Sequence, residues 1–269
     1  MKSFSIGMIC LLLISSSCED DSSSTTSTES TEASKKNNES FDARAKREIT
    51  ASLAIPANEK YSIRIYKEYI NADTIEDAII TLNRMEYAIN QSIKNGNEAK
   101  AAEVGYTGNY NYIFSYDGAM DRILNPIFAP SSPGRELDVE FRSIAAPTRK
   151  DVIIGYRIRN SGWKSYFSVF NEHDFMMVFQ WKSFDHAGED KPEAFIHEYE
   201  ENTHQIPMDI AIYESEIDGH TKNIGDIYTY VPSITKKKTL KFKFFLDPVA
   251  KKYRLYPEFA KNLPPRPSV

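Results

Sequence analysis

Cysteine is nearly missing from this chain. Its two cysteines, Cys10 and Cys18, both lie near the N-terminus, so the long remainder has no thiol pair for a disulfide, no thiolate set for zinc and no cysteine nucleophile. Long hydrophobic runs are missing too. The clearest apolar stretch, Phe4 to Ile14, is about 11 residues, against the roughly 20 that cross a bilayer. There is no basic excess: 33 Lys and Arg face 38 Asp and Glu, a formal charge of −5, which argues against nucleic acid as a partner. Local catalytic motifs are absent as well, with no G-x-S-x-G elbow and no H-E-x-x-H. The five histidines all fall between His173 and His220. His173-Asp174, Asp185-His186 and His197-Glu198 put acids beside them, but without metal-ligand spacing. A hydrolase would have to assemble carboxylates or histidines from distant segments.

What is present begins at the N-terminus. Lys2, the apolar run and the small residues Ser15, Ser16 and Ser17 come in the order of a secretory signal over residues 1–17. The segment ending at Cys18 resembles the lipobox of bacterial lipoproteins, with Ser16 and Ser17 as its small residues and Ser15 where that family carries leucine. The resemblance implies acylation of Cys18 and attachment to a membrane. Two or more acyl chains together hold a protein stably where one holds it marginally. Glu19, Asp20 and Asp21 follow, and this acidic run resembles the surface-export tag of lipoproteins in one large group of Gram-negative bacteria. The expected address is therefore the outer membrane, lipid-anchored and facing the cell surface; ordinary signal cleavage without lipid gives a periplasmic or secreted protein instead.

Residues 18–41 read as the lipidated cysteine and a Ser/Thr-rich tether, apolar only at Ala33 until Phe41. Such a stretch buries too little to offset its ordering entropy. As a coil it reaches roughly 25 Å. Residues 42–258 are expected to form a β-rich globular domain with a sub-boundary near 130–136, and 259–269 a Pro-rich flexible tail with Pro264, Pro265 and Pro267.

Within the domain, Met85, Ala88, Ile89 and Ile93 step along one helical face and predict a helix near 85–104, interrupted at Asn95-Gly96-Asn97. From about Glu136, apolar and polar residues alternate in one short segment after another, as in Val152, Ile154, Tyr156 and Ile158. Asn, Asp, Gly, Pro and Ser fill the breaks. This predicts a mainly β fold, a β-sandwich or related antiparallel architecture. Lys236, Lys237, Lys238, Lys241 and Lys243 run into Leu240, Phe242 and Phe244, the pattern of a half-buried strand with lysines on its wet face.

Two motifs carry candidate chemistry. Asn71, Asp73 and Asp77 precede the apolar run Ala78-Ile79-Ile80 and resemble one calcium loop of FG-GAP or VCBS repeats, with Thr74 at the loop glycine. The resemblance implies Ca²⁺ held by these side chains; the plain alternative is an Asn/Asp turn before a strand. Tyr110, Tyr112, Phe114 and Tyr116 lie two apart and share one strand face. Tyr110, Tyr112 and Tyr116 can be a stacking platform for glycans, or that face can be half of a core. The expectation is a lipid-anchored envelope or cell-surface protein with a binding or structural role, its partners the membrane, other envelope proteins or glycans, and no nucleic acid. A glycan-binding lipoprotein and a hydrolase are the alternatives.

Overall fold

Antiparallel strands dominate the computed structural model, which describes residues 39–97, 110–170, 173–201, 207–218 and 230–263. Ser40–Val269 form one compact unit. Helix α1, Phe41–Ser52, comes first. It is followed by β1 (Ser62–Glu68), β2 (Asp77–Asn83), helix α2 (Met85–Lys94), β3 (Asn111–Asp117), β4 (Arg122–Ile123) and β5 (Ile127–Ala129). These strands form one sheet, in which β4 and β5 both pair with β3 as two pieces of one strand broken around Asn125-Pro126. The second sheet runs through β6 (Asp138–Arg142), β7 (Asp151–Ile158), β8 (Ser161–Phe170), β9 (Asp174–Asp185), β10 (Glu193–Glu200), β11 (Asp209–Ile217), β12 (Ile234–Asp247) and β13 (Lys252–Leu255), each beside the next. The fold is thus mainly β and sandwich-like, two antiparallel sheets packed through their apolar faces.

Pairing divides the second sheet in two. β9 and β10 share only the pairs Glu193–Asp185 and Ala194–Phe184 before they part. The strands therefore make three successive four-stranded meanders: β1 to β4/β5, β6 to β9, and β10 to β13. They stack face to face. Ile79 and Ile113 of the first meet Val152, Ile154 and Phe167 of the second. Ile153, Tyr166 and Phe179 of the second meet Ile210, Ile212, Phe242 and Phe244 of the third. The fourth strands of the second and third meanders close on each other through side chains, with the Phe179 and Tyr253 rings 5.8 Å apart.

The two ends of the stack are finished differently. On the first meander, α1 covers Ala78, Ile80, Leu82, Tyr112 and Phe114 with Ala45 and Ile49. Its start is set by Ser40, whose hydroxyl accepts the Ala43 amide at 3.3 Å. On the third meander the outer face is charged: Lys236 pairs with Glu198 and Lys243 with Glu200. The lysine-rich strand is β12, and Phe242, Phe244 and Leu246 on its other side are core.

Three expectations are corrected. A second helix, α1, precedes the expected one; a charged sequence with few apolar residues hid it, because only Ala45 and Ile49 are buried along it. The expected helix near 85–104 is α2 and ends at Lys94, while 98–104 lies outside the described residues. Met85 and Ile93 of its apolar face are exposed, and Ala88 is the residue it buries. The flexible tail does not start at 259: Pro257–Asn262 is a 3₁₀ turn, and Phe259 packs against the core. The region 130–136 is the passage between the sheets, gripped by buried amides. Asn83 Nδ2 donates to the Pro133 carbonyl at 2.8 Å, and Asn111 Nδ2 to Ser131 Oγ at 2.7 Å.

His197 fills the gap where β10 leaves β9. Its Nε2–H donates to the Lys182 carbonyl at 2.8 Å, so Nδ1 accepts the Tyr166 hydroxyl at 2.7 Å. Burial lowers its pKa to about 4. The unfolded chain therefore binds a proton that the folded chain refuses between pH 6.5 and 4. Stability from this group is complete above about pH 7 and falls by about 3 kcal/mol on acidification to pH 4. Asp77 and Asp151, whose carboxyls burial pushes up, act with the opposite sign. Urea unfolding between pH 4 and 7.5 should show a His197→Gln variant that is less stable at pH 7 and has lost most of the acid slope. An unchanged slope would assign it to other groups.

Candidate functional site

Asp77 opens β2 and is buried. Its Oδ2 accepts the amides of Ile70 at 3.2 Å and Asn71 at 3.3 Å, and its Oδ1 accepts that of Gly118 at 2.9 Å. A side chain at Gly118 would collide with the Glu76 carbonyl. Asn71 Oδ1 accepts the Asp73 amide, and Asp73 Oδ1 the Ile75 amide. An oxygen of each side chain that the calcium resemblance singles out is thus engaged by an amide of the loop or its neighbour. Among the described residues no group of three His, Cys, Asp or Glu side chains is placed to hold a metal. Thr74 has φ +66°, the left-handed conformation that a glycine takes without strain.

The same device recurs in the second meander. Asp151 opens β7, is buried, and accepts the amides of Ile144 at 2.8 Å and Ala145 at 2.7 Å. Both hairpins close on equivalent pairs, Glu68–Asp77 and Arg142–Asp151, and a third does so at Glu200–Asp209. The loops are laced together: the Lys150 amide donates to the Ile70 carbonyl at 2.8 Å, and the Met208 amide to the Ile144 carbonyl at 2.9 Å. A sequence signal existed for this. Ile70, Ala72, Thr74, Asp77, Ile79 and Ile80 recur in the same spacing as Ile144, Ala146, Thr148, Asp151, Ile153 and Ile154. The single-loop reading missed it because the positions that suggested calcium, Asn71 and Asp73, are Ala145 and Pro147 in the second copy.

The tyrosine row shares one face, and that face lies beneath α1. Tyr112 is 6% exposed and lies beside Phe114 and Phe128. Tyr110 is half-buried edge-on to Tyr87. Tyr116 packs on Phe41 at 4.5 Å, and its hydroxyl donates to Asp121, which Arg44 also holds. Arg44 and that hydroxyl bring the Asp121 carboxyl down to about 2. Tyr110, Tyr112 and Tyr116 therefore form no exposed stacking platform. Of the histidines, His173 joins Asp117 across the two sheets at 2.5 Å, His186 meets Glu189 at 3.0 Å, and His197 lies half-buried between Tyr166 and the Lys182 carbonyl. His204 and His220 lie outside the described residues, as does Cys18.

Two depressions compete as a site. One, of about 320 Å³, lies at the far end from the stapled loops and is lined by Glu136, Glu140, Arg157 and Lys164 among others. Its charges are largely spent on one another or on backbone: Glu136 pairs with Arg64, Glu140 with Arg142, and Arg157 donates to the Arg159 and Tyr230 carbonyls.

The other, of about 540 Å³, lies between the first two stapled loops, within the size range of small-molecule sites. The first loop contributes Tyr69, Asn71 and Thr74, the second Ser143, Thr148, Arg149 and Lys150. This lining holds donors and hydroxyls and no carboxylate or imidazole. Lys150 Nζ bonds Glu68 at 2.9 Å, which lowers the Glu68 pKa. Arg149 lies over the Phe170 ring at 4.7 Å, and among the described residues its buried Nε has no hydrogen-bond partner. The donors and hydroxyls of this lining can hold an acceptor-rich ligand.

Two substitutions test the loops. Asp151→Ala strands two buried amides and should cost about 2–4 kcal/mol by chemical denaturation; a loss under about 1 kcal/mol would mean the staple is dispensable. Thr74→Gly removes the left-handed strain and should raise the unfolding free energy by about 1 kcal/mol, seen as a higher denaturation midpoint with unchanged m-value.

Compared with known proteins, the chain matches no family model, no curated protein and no solved structure.

Proposed function

We propose that the chain is a lipid-anchored envelope protein, carried on an acylated Cys18 and a flexible tether, whose stacked β domain binds a ligand at the cell surface. The observation that carries the binding part is the groove between the stapled loops at residues 69–76 and 143–150. Its walls are rigid, because each loop is tied to a buried carboxylate and one is laced to the other. Pre-organised walls lower the entropy lost on binding. Helix α1 starts at the same end. Asp42 in the first turn of α1 pairs with Lys67 at 3.7 Å, beside the end of β1, and Phe41 packs on Tyr116 near the end of β3. The lipobox-like order of Lys2, the apolar run, Ser16, Ser17 and Cys18 supports the anchor.

Growth with a radiolabelled fatty acid tests the anchor. The wild-type protein should carry the label and sediment with membranes, and Cys18→Ser should lose both properties. Equal labelling of the variant would overturn the anchored reading.

A further inference from the structure

We propose that the groove between the stapled loops binds a carboxylated sugar, its carboxylate taken by Arg149 and its ring laid against Tyr69; this rests on the binding role argued above. Four features of the site lead there. The lining offers donors without a competing carboxylate, so it favours acceptor-rich, anionic ligands over cations. Among the described residues the buried Nε of Arg149 lacks a hydrogen-bond partner, and a donor left unmade on a charged group costs free energy that a bound oxyanion would recover. The guanidinium is also steadied over Phe170, which takes a second cation from Lys251 at 5.1 Å. A planar fork held in place suits the two oxygens of a carboxylate.

Tyr69 supplies the rest. It is 53% exposed, a large ring left in water at the rim of a donor-lined groove. An amphipathic ring of this kind accepts the apolar face of a sugar while its hydroxyl stays wet. Asn71, Ser143 and Thr148 line the same groove and carry groups that can partner ring hydroxyls. The groove volume accommodates one or two sugar rings. Nearby cations do not duplicate the role: Lys150 is held by Glu68, and Lys251 lies 3.7 Å from Asp174.

Calorimetric titration of the full-length, detergent-solubilised protein tests this, with glucuronate and a galacturonate oligomer as probes and with maltose, acetate and inorganic phosphate as controls. The acidic sugars should bind about tenfold or more tightly than maltose and than either small anion. Arg149→Gln should weaken the acidic sugars by about tenfold or more and leave maltose unchanged, with Arg149→Lys in between. Tyr69→Ala, at an exposed position, should weaken every sugar and spare phosphate. Thermal melting checks that each variant is folded; should Arg149→Gln melt early, the Lys variant and Tyr69→Ala carry the test. Maltose binding as well as glucuronate, or an Arg149 series without effect, overturns carboxylate recognition while leaving a Tyr69-dependent groove intact. Phosphate equal to glucuronate overturns the sugar ring. Binding that none of the variants alters removes the groove itself, and with it the binding role proposed above. No heat with any probe at about 10 mM overturns the ligand class.

Discussion

A buried carboxylate at the first residue of a strand, closing on the amides of the loop before it, is the interaction on which the architecture turns. Asp77 and Asp151 both sit in this position, nearly inaccessible to water. Burial alone would favour the neutral acid and pushes both carboxyls up, while the amide bonds pull the other way. The opposition explains why an Asp is kept there. The side chain is short enough to reach back across the loop, and it satisfies two amides that could not otherwise be buried. Each hairpin then has a defined length and register, and the next strand starts with its apolar residues on the proper face.

Repetition of that hairpin builds a layered core. Ile70 and Ile79 look from the first meander toward the second, and the equivalent Ile144 and Ile153 look from the second toward the third. Such a stack has two open faces that must be finished, as in other repeat proteins. One is covered by α1; the other is made wet by cross-strand pairs between lysines and glutamates. Inside, His197 replaces a strand-to-strand bond where the second sheet splits, so the third meander can swing onto the second without leaving the Lys182 carbonyl bare. Phe184 lies over Gly162 near the same split, where any side chain would meet its ring.

The strands were legible because their alternation is a direct consequence of facing a core on one side. The lysine strand was legible for the same reason, and its charges pair with neighbours. Helix α1 was not: its short buried stripe, Ala45 and Ile49, sits in a sequence whose charged residues, five in twelve, hide the apolar period. The tyrosine row displayed its shared face and not its surroundings, since the residues that cover it, Phe41 and Ile49, come from a segment far away in the chain. The loop at Asn71–Asp77 was conspicuous for its oxygens. Its structural role rests on backbone amides, which leave no mark in composition. The groove was invisible, because Tyr69 and Arg149 meet only through the lacing of two loops.

What the two loops do not share is as informative as what they do. The residues that hold the hairpin together, the isoleucines and the Asp, are common to both copies. The exposed positions have diverged toward opposite charge: Asp73, Ile75 and Glu76 in the first loop stand where the second has Pro147, Arg149 and Lys150. Two identical acidic loops side by side would repel across a narrow gap. Opposed loops attract, and Lys150 realises this by pairing with Glu68 at the base of the first hairpin. Arg149 of the second loop is placed over Phe170, its charge draws the Asp151 carboxyl down against burial, and among the described residues its Nε has no hydrogen-bond partner. A scaffold that needs only its buried Asp and Ile leaves the rest of each loop free to vary, and the groove is where that freedom has gathered polar side chains suited to a ligand.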